Sequence, residues 1–234
     1  MEDVTIVIQG RLKSEHIHKW IMEYADWNVI VSTWNDSNIN GLEFPPSWKV
    51  LLMPKPDRYG GVGNLDYQVT STLNGLQYVK TPYCIKARGD EFFLNLHKFV
   101  KEIRLKPQQI ICGDIFYRAE DPNTYYHISD HLLGSTTYHI RDMFSNTEKL
   151  LKEGFRFPKE YEITHTPESY LGFSFVQMRE NIDLKNIEEY LNEKVSIPLS
   201  EKWFDVFNIE RFQNFTVSMG GEFHSGRCSC PYHF

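Results

Sequence analysis

Short β-branched runs alternate with helical periodicity through the first half of the chain, and this alternation limits the possible folds more than any other feature. Val4 to Gln9 (VTIVIQ) reads as a strand that stops at Gly10. Ser14 can then N-cap a helix to about Ala25, with Ile17, Trp20, Ile21 and Tyr24 at helical spacing. Trp27 to Trp34 (WNVIVSTW) is a second strand, closed by the turn-forming run Asn35-Asp36-Ser37-Asn38. Trp48 to Met53 is a third, followed by the Pro- and Gly-rich loop PKPDRYGGVGN. A helix from about Asn64 to Val79 places Leu65, Val69, Leu73 and Leu76 on one face and Asn64, Gln68 and Ser71 on another. Tyr83 to Arg88 and Gln108 to Phe116 supply a fourth and a fifth strand. Strands linked through helices require parallel crossovers, so the expected class is α/β: an open, mostly parallel twisted sheet with helices on both faces. Ligands of such sheets sit beyond the carboxyl ends of the strands.

The second half reads as more helical, over about His139 to Glu153, Pro167 to Asn181, Leu184 to Leu191 and Ser200 to Arg211. No repeat, low-complexity tract or linker divides the sequence, so one domain over residues 1–234 is expected.

Composition serves mainly to exclude. A net charge of −6 with no basic stripe argues against a nucleic-acid partner, which would need cations to displace phosphate counterions. No window approaches the ~20 apolar residues of a membrane span, which leaves peripheral membrane contact open. The opening MEDVTIVIQGRLKSEH is too acidic at its head and too short in apolar run to read as a signal peptide. Cys84, Cys112, Cys228 and Cys230 make no disulfide framework for a chain this size, so a reducing, cytoplasmic location is expected and the Asn214-Phe215-Thr216 sequon idle. Aromatic residues reach 15%, a surplus that suits a dense core before it suits sugar stacking.

The segment Lys86 to Phe93 (KARGDEFF) carries the most chemistry. At strand spacing Lys86, Arg88 and Asp90 share one face, and three charges at the end of an apolar strand are costly unless something satisfies them. Either Asp90 pairs with Arg88 or Lys86 at the rim of the sheet, or Asp90 ligates Mg²⁺ or Mn²⁺ and the metal bridges a diphosphate that faces Arg88. Thr166-Pro167-Glu168 has the pattern of a helix start, with Thr as N-cap, Pro next and Glu in the first turn, where Glu168 complements the helix dipole. His127, Asp130 and His131 have helical i, i+3, i+4 spacing, compatible with metal ligation or with hydrogen-bonded histidines at a site rim. Near the C-terminus, His224, Cys228, Cys230 and His233 are spaced more tightly at Cys-x-Cys than zinc sites usually are.

Seven segments in order resemble the WavE family, glycosyltransferase-like proteins of lipopolysaccharide core and surface-glycan synthesis. They are Val7-Ile8-Gln9-Gly10, Val31-Ser32-Thr33-Trp34, Pro54-Lys55-Pro56-Asp57, the run from Gly63 to Leu76, Lys86-Ala87-Arg88-Gly89-Asp90, Ile128-Ser129-Asp130-His131 with Gly134, and Pro167-Glu168-Ser169-Tyr170-Leu171. The resemblance implies a GT-A-like fold with a nucleotide-binding part over about 1–116 and an acceptor-side part over about 117–234. It implies a nucleotide-sugar donor (UDP or similar), a glycan or glycolipid acceptor, and assistance by Mn²⁺ or Mg²⁺. Gln9, Gly10, Thr33 and Trp34 would hold base and ribose, Asn64 and Gln68 would reach the donor nucleotide, and Asp57, Lys86 and Arg88 would join the donor site. Asp90 would stand where GT-A enzymes place the aspartate of their DxD metal motif. Glu168 is one candidate for the catalytic base; Asp130 is its rival, or a ligand of acceptor hydroxyls. Two positions depart from the family pattern: Arg88 replaces the first DxD carboxylate, and Tyr67 stands where the pattern has Arg. Two other classes remain open, a metal-dependent phosphohydrolase of nucleotide-sugars acting through Asp90, Asp130 and the histidines, and a non-catalytic nucleotide- or sugar-binding relative.

Overall fold

A computed structural model of the chain describes residues 2–37, 39, 41–58, 61–114, 126–158, 166–194, 202–207 and 216–217. Asn38, Asn214, Cys228, Cys230 and the other residues of the C-terminal His/Cys run lie outside the described residues.

The strands are β1 (Val4–Gln9), β2 (Asn28–Trp34), β3 (Lys49–Met53), β4 (Tyr83–Arg88), β5 (Glu91–Phe92), β6 (Ile110–Gly113), β7 (Leu132–Thr136), β8 (Phe204–Phe207) and β9 (Thr216–Val217). The helices are α1 (Ser14–Glu23), α2 (Leu65–Leu76), α3 (Leu96–Leu105), α4 (Thr137–Lys152), α5 (Pro167–Glu180) and α6 (Ile187–Lys194). Seven strands form one sheet in the order β3-β2-β1-β4-β7-β6-β8, and β5 pairs with β9 in a separate antiparallel ladder. Every pairing in the main sheet is parallel except those of β7, which runs against both β4 and β6. The fold is the expected α/β sheet, made mixed by one reversed strand.

Side-chain alternation divides the core into two layers. Val7, Ile30, Cys84 and Leu133 pack with α2, α4 and α5 on one face. Ile6, Ile8, Val31 and Ile85 pack with α1 and α3 on the other. β1 is buried along its whole length, the pattern of a central parallel strand covered on both sides, which is why Val4, Ile6, Val7 and Ile8 show no polar/apolar alternation. The helices come close to the sheet: a methyl group at Gly134 of β7 would lie 2.5 Å from Phe99 Cε1 of α3.

Several boundaries and elements differ from the sequence reading. Ser14 is the first helical residue of α1, with Lys13 in the capping position and no side-chain cap bond. Within the described residues the fifth strand is Ile110–Gly113, and Ile115 and Phe116 lie outside them. α3 is an unanticipated helix whose Leu96, Phe99, Val100 and Ile103 form one buried stripe. The helix expected over Ser200 to Arg211 is replaced, in its described part, by β8, which pairs in parallel with β6. The alternating FDVF run gains ladder hydrogen bonds and core contact there that an isolated helical turn could not offer. At α5 the reading holds: Thr166 Oγ1 accepts from the Ser169 amide at 3.2 Å, and Pro167 opens the helix.

Candidate functional site

The strand order reverses between β1 and β4, the place where an open α/β sheet leaves a crevice beyond its carboxyl ends. Gln9 and Arg88, the last residues of these strands, are register partners. The loops above them are tied together: the Gly89 amide donates to the Gln9 carbonyl at 2.8 Å, and the Lys13 amide to the Gly89 carbonyl at 3.0 Å. A Cβ at Gly89 would fall 2.8 Å from the Arg11 carbonyl oxygen, so this approach requires glycine.

β7 runs down beside β4 from the same end, with Leu132 opposite Ala87, and so delivers Asp130 and His131 next to Arg88. Asp130 is the hub. Its Oδ2 accepts from Gln68 Nε2 of α2, its backbone carbonyl accepts from Lys86 Nζ, and its Oδ1 lies 3.8 Å from Arg88 Nη1 and 3.7 Å from His131 Nε2. Burial opposes its ionisation, yet the charges of Lys86, Arg88 and His131 and the Gln68 hydrogen bond hold its carboxyl well below the usual range. Lys86 is fully buried, and burial pushes its ammonium down to about 8 against the pull of Asp130. One step outward, Gln9 Oε1 accepts from Ser71 Oγ at 2.7 Å, which joins the end of β1 to α2.

Arg88 is a quarter exposed and is forked onto Asp90, with Nε to Oδ1 at 3.0 Å and Nη2 to Oδ2 at 2.8 Å. Despite burial, these bonds keep Asp90 below its ordinary pKa. This is the rim pair of the two readings offered for KARGDEFF. Each Asp90 oxygen thus accepts one guanidinium N–H, and the side chain is 29% exposed. Among the described residues no group of three or more His, Cys, Asp or Glu is placed to hold a metal ion. A cation at Asp90 would have to share its carboxylate with Arg88 and take its other ligands from a bound diphosphate and water. His131 is likewise committed, its Nδ1 to Glu91 Oε1.

Glu168 stands in the first turn of α5, with Oε2 4.0 Å from His127 Nε2, and its side chain is 19% exposed against 6% for Asp130. Burial, then the Asp130 charge, raises its pKa. The environment thus pushes the two carboxyl groups in opposite directions.

The remaining candidates lie around this cluster. Gly10, at φ +88°, donates to the Ser32 carbonyl at 3.0 Å. Thr33 Oγ1 is 2.6 Å from Ser37 Oγ, and Trp34 meets the Tyr67 ring edge-on at 5.7 Å. Asn64 is exposed at the start of α2. Asp57 is exposed on the loop after β3, and the adjacent Arg58 turns to Asp66 (3.4 Å) and the Gly61 carbonyl. Glu91, 2% exposed, was not singled out by the sequence reading; a charge directly before the buried pair Phe92-Phe93 was its only signal. A separate open cleft of about 580 Å³, lined by Met53, Pro54, Asn74, Gln77 and Arg141 among others, contains none of the cluster. Among the described residues no helix is long and apolar enough to cross a membrane.

A family model described as WavE lipopolysaccharide synthesis matches residues 4–153. Among solved structures, the chain is similar to a crystal structure of HddC from Yersinia pseudotuberculosis, at 14% identity and TM-score 0.38, over 61% of this chain and 80% of that one. It is also similar to a crystal structure of HddC complexed with GMP-PN, at 15% identity, TM-score 0.38 and the same coverage. Likeness at that level says nothing of what this chain binds. No curated protein matches it.

Proposed function

The chain belongs to the WavE lipopolysaccharide synthesis family, and on that premise we propose that it is a glycosyltransferase moving a sugar from a nucleotide-sugar donor to a glycan or glycolipid acceptor. The observation that carries this reading is the convergence of Gln9, Gln68, Arg88, Asp130 and Glu168 at the switch point of the sheet.

In the proposed reaction the acceptor oxygen forms a bond to the anomeric carbon as the bond from that carbon to the diphosphate breaks. The diphosphate leaves with the electron pair, and the acceptor proton passes to Glu168. Arg88 is the accessible cation for the developing charge, and its planar fork suits phosphate oxygens. Lys86 adds positive potential from below while it fixes the Asp130 backbone. Glu168 is the more accessible carboxylate, and its raised pKa makes it the stronger base. Gln68 Oε1 and Asp130 Oδ1 are buried acceptors with no hydrogen-bond partner among the described residues. A sugar or ribose hydroxyl would satisfy Gln68 Oε1, whereas Asp130 Oδ1 lies between Arg88 Nη1 at 3.8 Å and His131 Nε2 at 3.7 Å.

The test is calorimetry and thermal shift of the chain with UDP, GDP and a panel of nucleotide-sugars, with EDTA and with Mn²⁺. At least one donor should bind the wild type and lose most of its affinity in Arg88→Ala. Binding that survives Arg88→Ala, or none with any nucleotide, would sink the reading. Rapid release of sugar phosphate would move the chain to the phosphohydrolases, and binding without turnover to the non-catalytic relatives.

A further inference from the structure

Four ionisable side chains at this site close into a ring, and two of them have no part in the reaction just described. Arg88 Nε lies 3.6 Å from Glu91 Oε1, the same oxygen pairs with His131 Nδ1, His131 Nε2 lies 3.7 Å from Asp130 Oδ1, and that oxygen lies 3.8 Å from Arg88 Nη1. We propose that Glu91 and His131 are positioning residues, which close this ring so that Arg88 and Asp130 are held in place for an anionic donor. The proposal rests on the donor-site reading above.

The ring draws its members from different parts of the fold, and each is anchored separately. Glu91 begins β5, and its backbone carbonyl accepts from Trp20 Nε1 of α1 at 3.0 Å. Asp130 is held by Gln68 of α2 and Lys86 of β4. Asp90 faces Arg88 from the rim, and Glu168 faces Asp130 and His131 from α5. Glu91, Asp130 and His131 are each under a tenth exposed, so their charges depend on one another rather than on water. Removing one member of a buried charge pair leaves its partner uncompensated, and alternation of sign around a closed ring avoids that cost. Against the effect of burial, the Glu91 carboxylate raises the pKa of His131 and so favours its cationic form. Without that cation, Glu91 and Asp130 would both pull on Arg88 from inside. The guanidinium would then turn away from the rim, where a diphosphate would meet it.

A double-mutant cycle on binding tests this, with UDP, GDP and inorganic pyrophosphate as probes of the full chain. Glu91→Gln keeps the shape but removes the charge. His131→Asn keeps a donor for Glu91 but loses the link to Asp130. Each should weaken binding by about tenfold, the scale of one charge-assisted contact. In an Arg88→Lys background the same substitutions should add less than about twofold, since they act through a guanidinium that is no longer there. Hydrogen exchange at Arg88 Nε–H without ligand should quicken in both variants. A full tenfold loss in the Arg88→Lys background, or unchanged binding in the single variants, would overturn the positioning role while leaving the donor site standing. A wild type that binds none of the probes would overturn the donor reading and this role with it, even if exchange at Arg88 shows the ring intact.

Discussion

Replacing Asp90 by Asn separates two roles for that carboxylate by the sign of the effect. Asp90 holds Arg88 through two hydrogen bonds of 2.8 and 3.0 Å, between side chains 25% and 29% exposed. A phosphate approaching from the rim must compete for the same fork. At this exposure solvent screens the pair, which places its contribution at about 0.5 to 1.5 kcal/mol rather than the larger value of a buried bidentate pair. Asp90→Asn keeps the volume, frees the guanidinium and removes one negative charge beside the anion. Pyrophosphate and UDP should therefore bind about 2- to 10-fold more tightly, measured by titration calorimetry in EDTA at fixed ionic strength. Global stability should fall by no more than about 1.5 kcal/mol, the upper end of that contribution. A ligand for Mn²⁺ or Mg²⁺, the role expected from the family resemblance, gives the opposite result. Binding would then weaken in Asp90→Asn, and only when the metal is present. That outcome would refute the argument made from the fork.

Two further substitutions probe the frame and the charge balance. Gly134→Ala puts a methyl group against Phe99 and Ile103 of α3 inside the core, and chemical denaturation should show a loss of about 1 to 3 kcal/mol or more. The pKa of His131 is raised above its ordinary 6.5, so its stabilising contribution is complete below pH 6.5 and is lost as pH rises through the raised value. Unfolding scans of the wild type and His131→Asn should differ most near pH 6 and converge above it. The scans should stop near pH 8, where Lys86 begins a contribution of opposite sign.

The sheet was legible where burial writes a simple pattern. β1, β2 and β4 are covered on both faces and read as apolar runs, and α2 turns Leu65, Val69 and Leu76 to the core at helical spacing. β7 was not legible, because LLGST is short and its reversed direction is set by tertiary pairing with β4 and β6 rather than by anything local. β8 pairs with a strand about ninety residues away, beyond the reach of any periodicity window. The same limit governs the site. Period-two alternation put Lys86, Arg88 and Asp90 on one face, but it could not tell that Lys86 would end beneath Asp130 while Arg88 forked onto Asp90. Gln68 could be read as a polar residue on the helix, whereas its bond to Asp130 spans 62 positions and the Glu91–His131 pair spans 40. Isolated polar residues in apolar elements were visible in the sequence; which of them meet is decided by the strand order.

The most direct measurement of the central claim is release of nucleoside diphosphate from a nucleotide-sugar that binds the wild type, compared with Glu168→Gln. A general base acts only in the transition state, so its loss lowers turnover while donor affinity is kept. Turnover in Glu168→Gln should fall by about 10² to 10⁴, with the donor binding constant within about twofold of wild type. The wild-type rate should rise with pH through the raised pKa of Glu168, as the carboxylate gains its basic form, and the variant should lose that dependence. Equal rates in the two proteins, or a product that retains the anomeric configuration of the donor, would contradict the assignment of Glu168 as the base.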